Sequence, residues 1–422
     1  MNRNSFIVTL IFLVFFVISF ITNILGALNP NVITSFQLSL TLSSFLPFAF
    51  FIAYGLVSIP AGMLVERVKE KNTMLLAFTI ALLGAAFFAL FPNYIVFIIS
   101  LFLLGTGMAM LQVAINPLLR VAGGEEHFAF NSVMAQLVFG GASFLSPMFL
   151  TFLMDSMSER DNNLVKSIFA NIISLQLSWT SLYWIFSIVL LLMIIVTFVS
   201  KFPEVVRKED EKSGSWQLHR TLFKQKIVIL YFIGIFAYVG TEQGVSYWLS
   251  KFLFDYHNYD PVTIGSSIVG WFWGMMSIGC LVGLLLLKLF DSRKILLTAV
   301  VLAIIFLSSA LFGPSEFSLI SFPLVGFALS VMWSIIFSLA LNSVSSHHGS
   351  FAGILCTAII GGAVVQLFIG WLGDLFGLRY GMMFIYLTLA YILFISLWAK
   401  PLIANETVPL KNLFKKRQTI SN

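Results

Sequence analysis

The segment LQVAINPLLR, residues 111 to 120, closes a long apolar run, yet it carries two amides, Gln112 and Asn116, followed by Pro117. Residues spaced by four share one face of a helix. Each amide offers donors and an acceptor, the complement of a neutral polyhydroxylated solute. An unpaired amide in hydrocarbon is costly, so these two either pair with neighbouring helices across a kink at Pro117 or face water and a solute. A second candidate is Glu242 in YVGTEQGVSYWLSKFL, the carboxylate that lies deepest in an apolar run, whereas Glu66, Asp155, Asp291, Glu316 and Asp374 fall near run ends. Desolvation disfavours its charged form, which makes a proton or counter-ion part of the site and marks Glu242 as the cation-coupling residue. Tyr238 and Ser246 share its face, and Gln243 and Tyr247 lie close by as candidate solute contacts.

Other candidates are weaker because packing explains them as well. Asn23 lies near Gly26 and Pro30 in a stretch expected to bend, since proline removes a backbone donor; Asn29 and Asn31 are expected to face a loop. Gln136 and Gln366 are amides inside apolar runs. Ser330, Ser334, Ser338 and Asn342 recur every four residues, a stripe that suits either close helix packing or solute contact, and Ser338 is taken as the candidate contact. Of Trp271, Trp273 and Trp333, the first and last are candidate aromatic faces on which a sugar ring could stack.

Positioning such residues requires membrane-spanning helices. The chain has 422 residues, 59% hydrophobic and 10% charged, with mean hydropathy +0.98 and 45 phenylalanines. A soluble domain is nearer a quarter charged. Windows of about 20 apolar residues, enough to cross the hydrocarbon core, fit twelve times: near 6–28, 43–65, 73–91, 94–118, 129–153, 177–200, 227–250, 263–287, 294–312, 317–341, 351–373 and 381–399. The expected fold class is an all-α membrane protein of twelve transmembrane helices in two pseudo-symmetric six-helix bundles. Residues 1–200 form the first bundle, 201–226 a linker, 227–400 the second bundle and 401–422 a tail.

Charge fixes the expected orientation. With the N-terminus cytoplasmic, that side holds 20 of the 24 Lys and Arg, and the other side only Arg160, Lys166, Lys251 and Arg379. The positive-inside rule then puts both termini and the linker in the cytoplasm, and a bacterial inner membrane is the expected location. The net charge of +6 is therefore a topological signal, not a nucleic-acid footprint. The first run lacks a small-residue cleavage site and reads as a span. Cys280 and Cys356 sit inside apolar runs as packing residues. No phosphate-binding loop occurs, the histidines have no metal-ligand spacing, and only Glu125-Glu126-His127 approaches an enzyme-like cluster. The reading is a monomeric transporter in the lipid bilayer, not an enzyme, with no nucleic-acid partner and no cofactor beyond a coupling proton or sodium ion.

The halves echo each other. GMLVERVKEK follows the second span and GLLLLKLFDSRK the eighth, and LNSVSSHHGSFAG follows the tenth as INPLLRVAGGEEHFAF follows the fourth, matching Asn342 to Asn116. Parallel six-span repeats mark one large transporter class.

GMLVERVKEK resembles the Gly-x-x-x-Asp-Arg-x-x-x-Arg/Lys loop of the major facilitator superfamily, with Glu66 in place of Asp. The resemblance implies the major facilitator fold, and it gives Gly62, Glu66, Arg67 and Lys71 a role in conformational gating, latching the halves in the outward-facing state. LLGTGMAMLQVAINPLL resembles the fourth-span signature of the fucose:proton symporter family, in its glucose/galactose and N-acetylglucosamine branch. The seventh-span YVGTEQG, IPAGML (59–64) and IIGGAVVQLFIGWLGDLFG (359–377) fit the same family. The chain departs from it in the first span, where FITNILGALNPN has no carboxylate, and in the fifth, where NSVMAQLVFGG keeps Asn131 and Gln136 but loses a second Asn. The resemblance implies alternating-access symport of a hexose or hexose derivative with a proton or sodium ion. The alternatives are a carrier of a drug or peptidoglycan fragment, and an uncoupled facilitator.

Overall fold

The computed structural model describes residues 5–124, 128–157, 173, 175–203, 205 and 214–402. Arg3, the 125–127 cluster, Arg160, Lys166, linker residues 206–213 and the tail beyond 402 lie outside the described residues.

Among the described residues, eleven helical stretches are long and apolar enough to cross a membrane. One of them, α3 (Leu40–Leu90), has 51 residues. At ~1.5 Å per residue it is more than twice as long as a ~30 Å hydrocarbon core requires. Its backbone leaves the helical region at Lys69 (φ 72°, ψ 165°), which divides it into the second and third spans and restores the expected twelve. The break falls inside the Gly62–Lys71 loop. There the Lys71 ammonium donates to the Phe198 and Ser200 carbonyls (2.7 and 2.8 Å), while Arg67 is exposed and Gly62 buried.

The first span comprises α1 (Ser5–Asn23) and α2 (Leu25–Phe36), interrupted at Ile24. Pro30 lies inside α2 and supplies no N–H to the Gly26 carbonyl one turn before it. Next come α4 (Tyr94–Gly123), α5 (Phe128–Ser156), α6 (Ser181–Val199) and the short linker helix α7 (Trp216–Leu222). The second half opens with α8 (Lys226–His257), α9 (Ser266–Leu289) and α10 (Ser292–Phe312). Its tenth span is α11 (Ser315–Leu329) and α12 (Met332–Leu341), and its eleventh is α13 (His348–Thr357) and α14 (Gly361–Phe376). α15 (Leu378–Met382) and α16 (Phe384–Trp398) form the twelfth.

The halves meet along three crossings: α3 on α14, α5 on α9, and α2 on α8. The last is a backbone contact. A Cβ on Gly26 would lie 2.2 Å from the Ser246 carbonyl oxygen, so only glycine allows this approach.

Candidate functional site

Glu242 sits halfway along α8 and is half-buried. The Tyr238 hydroxyl, one turn earlier, donates to its Oε1 at 2.8 Å, and the Gln243 amide lies 3.4 Å from Oε2. The Tyr238 ring packs against Trp333 (centroids 6.0 Å), which stacks on Phe337 (5.7 Å, 21°). A carboxylate that water reaches therefore borders an aromatic surface, with exposed Ser334 and Ser338 on the same short helix, α12. The serine stripe divides at the break after α11. Ser330 is buried, with its hydroxyl donating to the Phe327 carbonyl at 2.7 Å, whereas Ser334 and Ser338 are free of such burial.

In the first half, Gln112 is partly exposed and Gln136 exposed, and among the described residues neither side chain has a hydrogen-bond partner. Asn116 is exposed and its amide donates only to the Gln112 carbonyl of its own helix, at 3.1 Å. These amides are not spent on helix packing.

Other candidates sit in helix contacts in this conformation. Asn23 is 4% exposed and donates to Ser143 Oγ at 2.8 Å, tying α1 to α5. Gln243 and Gln366 are buried; Gln366 lies one turn from Gly362, which faces Phe51, and one turn from Gly370, which faces Leu40 and Ser44. Neither polar atom of the Gln366 amide has a partner among the described residues. Trp271 is 46% exposed with its ring edge-on to Phe144, whereas Trp273 is 3% exposed and its indole N–H has no partner among the described residues. Residues two apart on a helix point about 200° apart, so only one of the pair can face the interior, and it is Trp273. Sequence alone gives no phase for two tryptophans in an apolar run.

The expectation that Asn29 faces a loop is overturned: it is 1% exposed. Its amide donates to the Tyr247 carbonyl at 3.1 Å and its Oδ1 accepts from Ser43 Oγ at 2.6 Å. The Tyr247 hydroxyl donates to the Ser43 carbonyl at 2.8 Å. Nearby, the Ser266 hydroxyl donates to the Pro147 carbonyl (2.9 Å) and that of Thr151 to Val262 (2.7 Å). All but the Asn29–Ser43 bond join one half to the other, and all lie at the end of the bundle remote from the linker. That far end is closed by a polar seam. Tyr247, placed beside Glu242 by sequence, belongs to the seam, and Asn29 and Ser43 were not legible as its partners.

The chain is similar to known transporters in sequence and in fold. A glucose/galactose transporter of Brucella abortus biovar 1 (strain 9-941) is 32% identical over 410 residues, 94% of each chain. The L-fucose-proton symporter of Escherichia coli (strain K12) is 27% identical over 383 residues, 85% of each. Among solved structures, an E. coli fucose:proton symporter superposes with TM-score 0.68 at 22% identity, covering 94% of this chain and 100% of that one. A bacterial homologue of the human lysosomal transporter Spinster, inward-facing and unoccupied, gives TM-score 0.76 at 14% identity over 93% and 97%. Residues 11–358 match the Major Facilitator Superfamily, and the chain belongs to that family of membrane transporters.

Proposed function

We propose that this chain is a secondary active carrier of a hexose or hexose derivative, coupled to a proton through Glu242. The observation that carries the reading is the water-reached Glu242–Tyr238 pair beside the Trp333–Phe337 stack: an ionisable group and a ring-sized apolar face on adjoining helices. Aromatic faces take the C–H surface of a sugar, while Gln112, Asn116, Gln136 and Ser338 supply donors and acceptors for its hydroxyls. The names of the glucose/galactose and fucose relatives support the same substrate class. Gln243 and Gln366 join the solute site when the far end opens. The proton is favoured over sodium because both Glu242 oxygens face donors, a phenol and an amide NH2, whereas a hard cation takes several oxygen ligands.

In this reading the cavity opens toward the linker end. The charge bias of 20 to 4 makes that end cytoplasmic, in a bacterial inner membrane, with Gly62, Glu66, Arg67 and Lys71 in the gating loop on that side. The test is uptake of glucose, galactose, N-acetylglucosamine and fucose by proteoliposomes under imposed proton or sodium gradients. The expected outcome is accumulation of at least one hexose above its external concentration under the proton gradient alone. Uptake that only equilibrates would make the protein a facilitator, and transport of a non-sugar solute with no hexose moved would end the sugar reading.

A further inference from the structure

The far-end seam contains one charged fastening that neither the solute site nor the gating loop uses. Asp374, in the last turn of α14, accepts from the backbone N–H of Leu40 through Oδ1 and of Thr41 through Oδ2, both at 2.8 Å. Leu40 and Thr41 open α3, in the other half of the molecule. The first N–H groups of a helix have no partner within it, and the helix end carries partial positive charge. Here the Ser39 hydroxyl accepts from Leu42 N–H at 3.2 Å, leaving the two preceding N–H groups to Asp374. The carboxylate thus completes, from across the seam, a cap that the local sequence supplies only in part.

Two features hold Asp374 in reach. A Cβ on Gly370, one turn earlier, would lie 2.6 Å from both the Leu40 carbonyl and Ser44 Oγ, so the two spans touch at backbone distance. Beyond the helix end at Gly377 (φ 94°), the Arg379 N–H donates to the Tyr256 hydroxyl at 3.0 Å, and its guanidinium lies 4.5 Å from that ring. The sequence carries a matching device at the other end of the same helix pair. Gly62-x-x-x-Glu66 with Arg67 ends the second span, as Gly370-x-x-x-Asp374 with Arg379 ends the eleventh.

We propose that Asp374 is a positioning residue of the transport cycle: it holds the far-end gate shut by capping the second span from the opposite half, and so sets the fraction of carriers open on the linker side. This inference rests on alternating access and not on which solute is carried, so it stands or falls separately from the hexose reading. Opening the far end strips two N–H groups and a helix N-terminus of their anionic partner, which water then replaces.

The experiment uses the full chain carrying Cys280→Ala and Cys356→Ala, with a reporter cysteine at Ser44→Cys in the seam or at Ser338→Cys toward the linker. A membrane-impermeant maleimide is applied to each side of sealed vesicles. Asp374→Ala is expected to raise far-side labelling of the Ser44 reporter about tenfold, equivalent to about 1.4 kcal/mol of gate equilibrium, without raising linker-side labelling at Ser338. Asp374→Asn, which keeps an acceptor oxygen, falls between parent and Ala and serves as the variant should Ala not insert. Unchanged far-side labelling in both variants overturns the proposal, as does equal acceleration of both reporters, which is general loosening.

Discussion

Two tyrosines on one helix are put to opposite uses. Tyr238 and Tyr247 both lie in α8 with their hydroxyls donating, nine residues or about 13 Å apart along the axis. Tyr238 gives its hydrogen to the carboxylate of Glu242, in its own half, where water reaches. Tyr247 gives its hydrogen to the neutral backbone carbonyl of Ser43, in the opposite half, and is 2% exposed. In the proposed function, the first arrangement responds to a proton or a solute, and the second only to whether the halves are together. A single unbroken helix joins them, and Gly26 of the first span abuts it at Ser246, between the two. On that reading one unbroken helix links coupling to closure.

The sharpest way to break this comparison is to neutralise its charged end. Glu242→Gln keeps the shape and one acceptor for the Tyr238 hydroxyl but removes the group that can bind and release a proton. Uphill accumulation is expected to vanish, while exchange of labelled for unlabelled solute continues. Accumulation equal to the parent under both proton and sodium gradients would remove Glu242 from the coupling role. The next largest effect is expected at the joint. In Gly26→Val, the new Cβ would sit 2.2 Å from a backbone oxygen that cannot rotate away. Overpacking of this kind costs about 1–3 kcal/mol, so the closed far end should lose roughly 5- to 150-fold in population, read as lost linker-side labelling of Ser338→Cys. Retained labelling would mean that this crossing does not control closure. Tyr247→Phe acts on the same equilibrium more gently. It leaves the Ser43 carbonyl without its phenolic donor, at about 1–3 kcal/mol for a buried unpaired acceptor, while the Asn29 amide still donates to the Tyr247 backbone carbonyl and keeps one bond across the seam. Far-side labelling of Ser44→Cys should rise several-fold while proton-driven accumulation persists. Loss of accumulation with unchanged labelling would instead put Tyr247 with Glu242.

The contrast also explains what was legible in the sequence. The twelve spans were, because hydropathy is a property of each segment alone; the Lys69 break merely separates two spans that a helix assignment runs together. Glu242 and the Gln112–Asn116 pair were visible because polar groups stand out in an apolar run. The seam was not, because Asn29, Ser43 and Tyr247 become a gate only by meeting across some two hundred residues of chain. Asp374 looked like a boundary charge for the same reason, since its partners are backbone N–H groups that no side chain announces. Trp271 and Trp273 show a third limit: helical phase is set by packing, and two apolar residues give no hint of which one is turned inward.

The smallest expected effect tests the accessible end from the other half of the molecule. Gln112 is partly exposed and its amide has no partner among the described residues, so replacing it removes no packing bond. Alanine is the best helix former, and Gln112→Ala should therefore express and unfold as the parent does. If the amide contacts solute hydroxyls, each lost hydrogen bond to a neutral group weakens binding by about 0.5–1.5 kcal/mol, a two- to twelvefold rise in Kd. Asn116→Ala should do the same while also freeing the Gln112 carbonyl, to which its amide now donates. Binding measured calorimetrically on the purified protein separates the outcomes. Parent-like affinity in both variants would take the fourth span out of the solute site, and a fall in melting temperature with unchanged affinity would show that the amides serve packing after all. A selective loss of affinity would place solute recognition on both halves, with closure at the far end left to the Tyr247 seam.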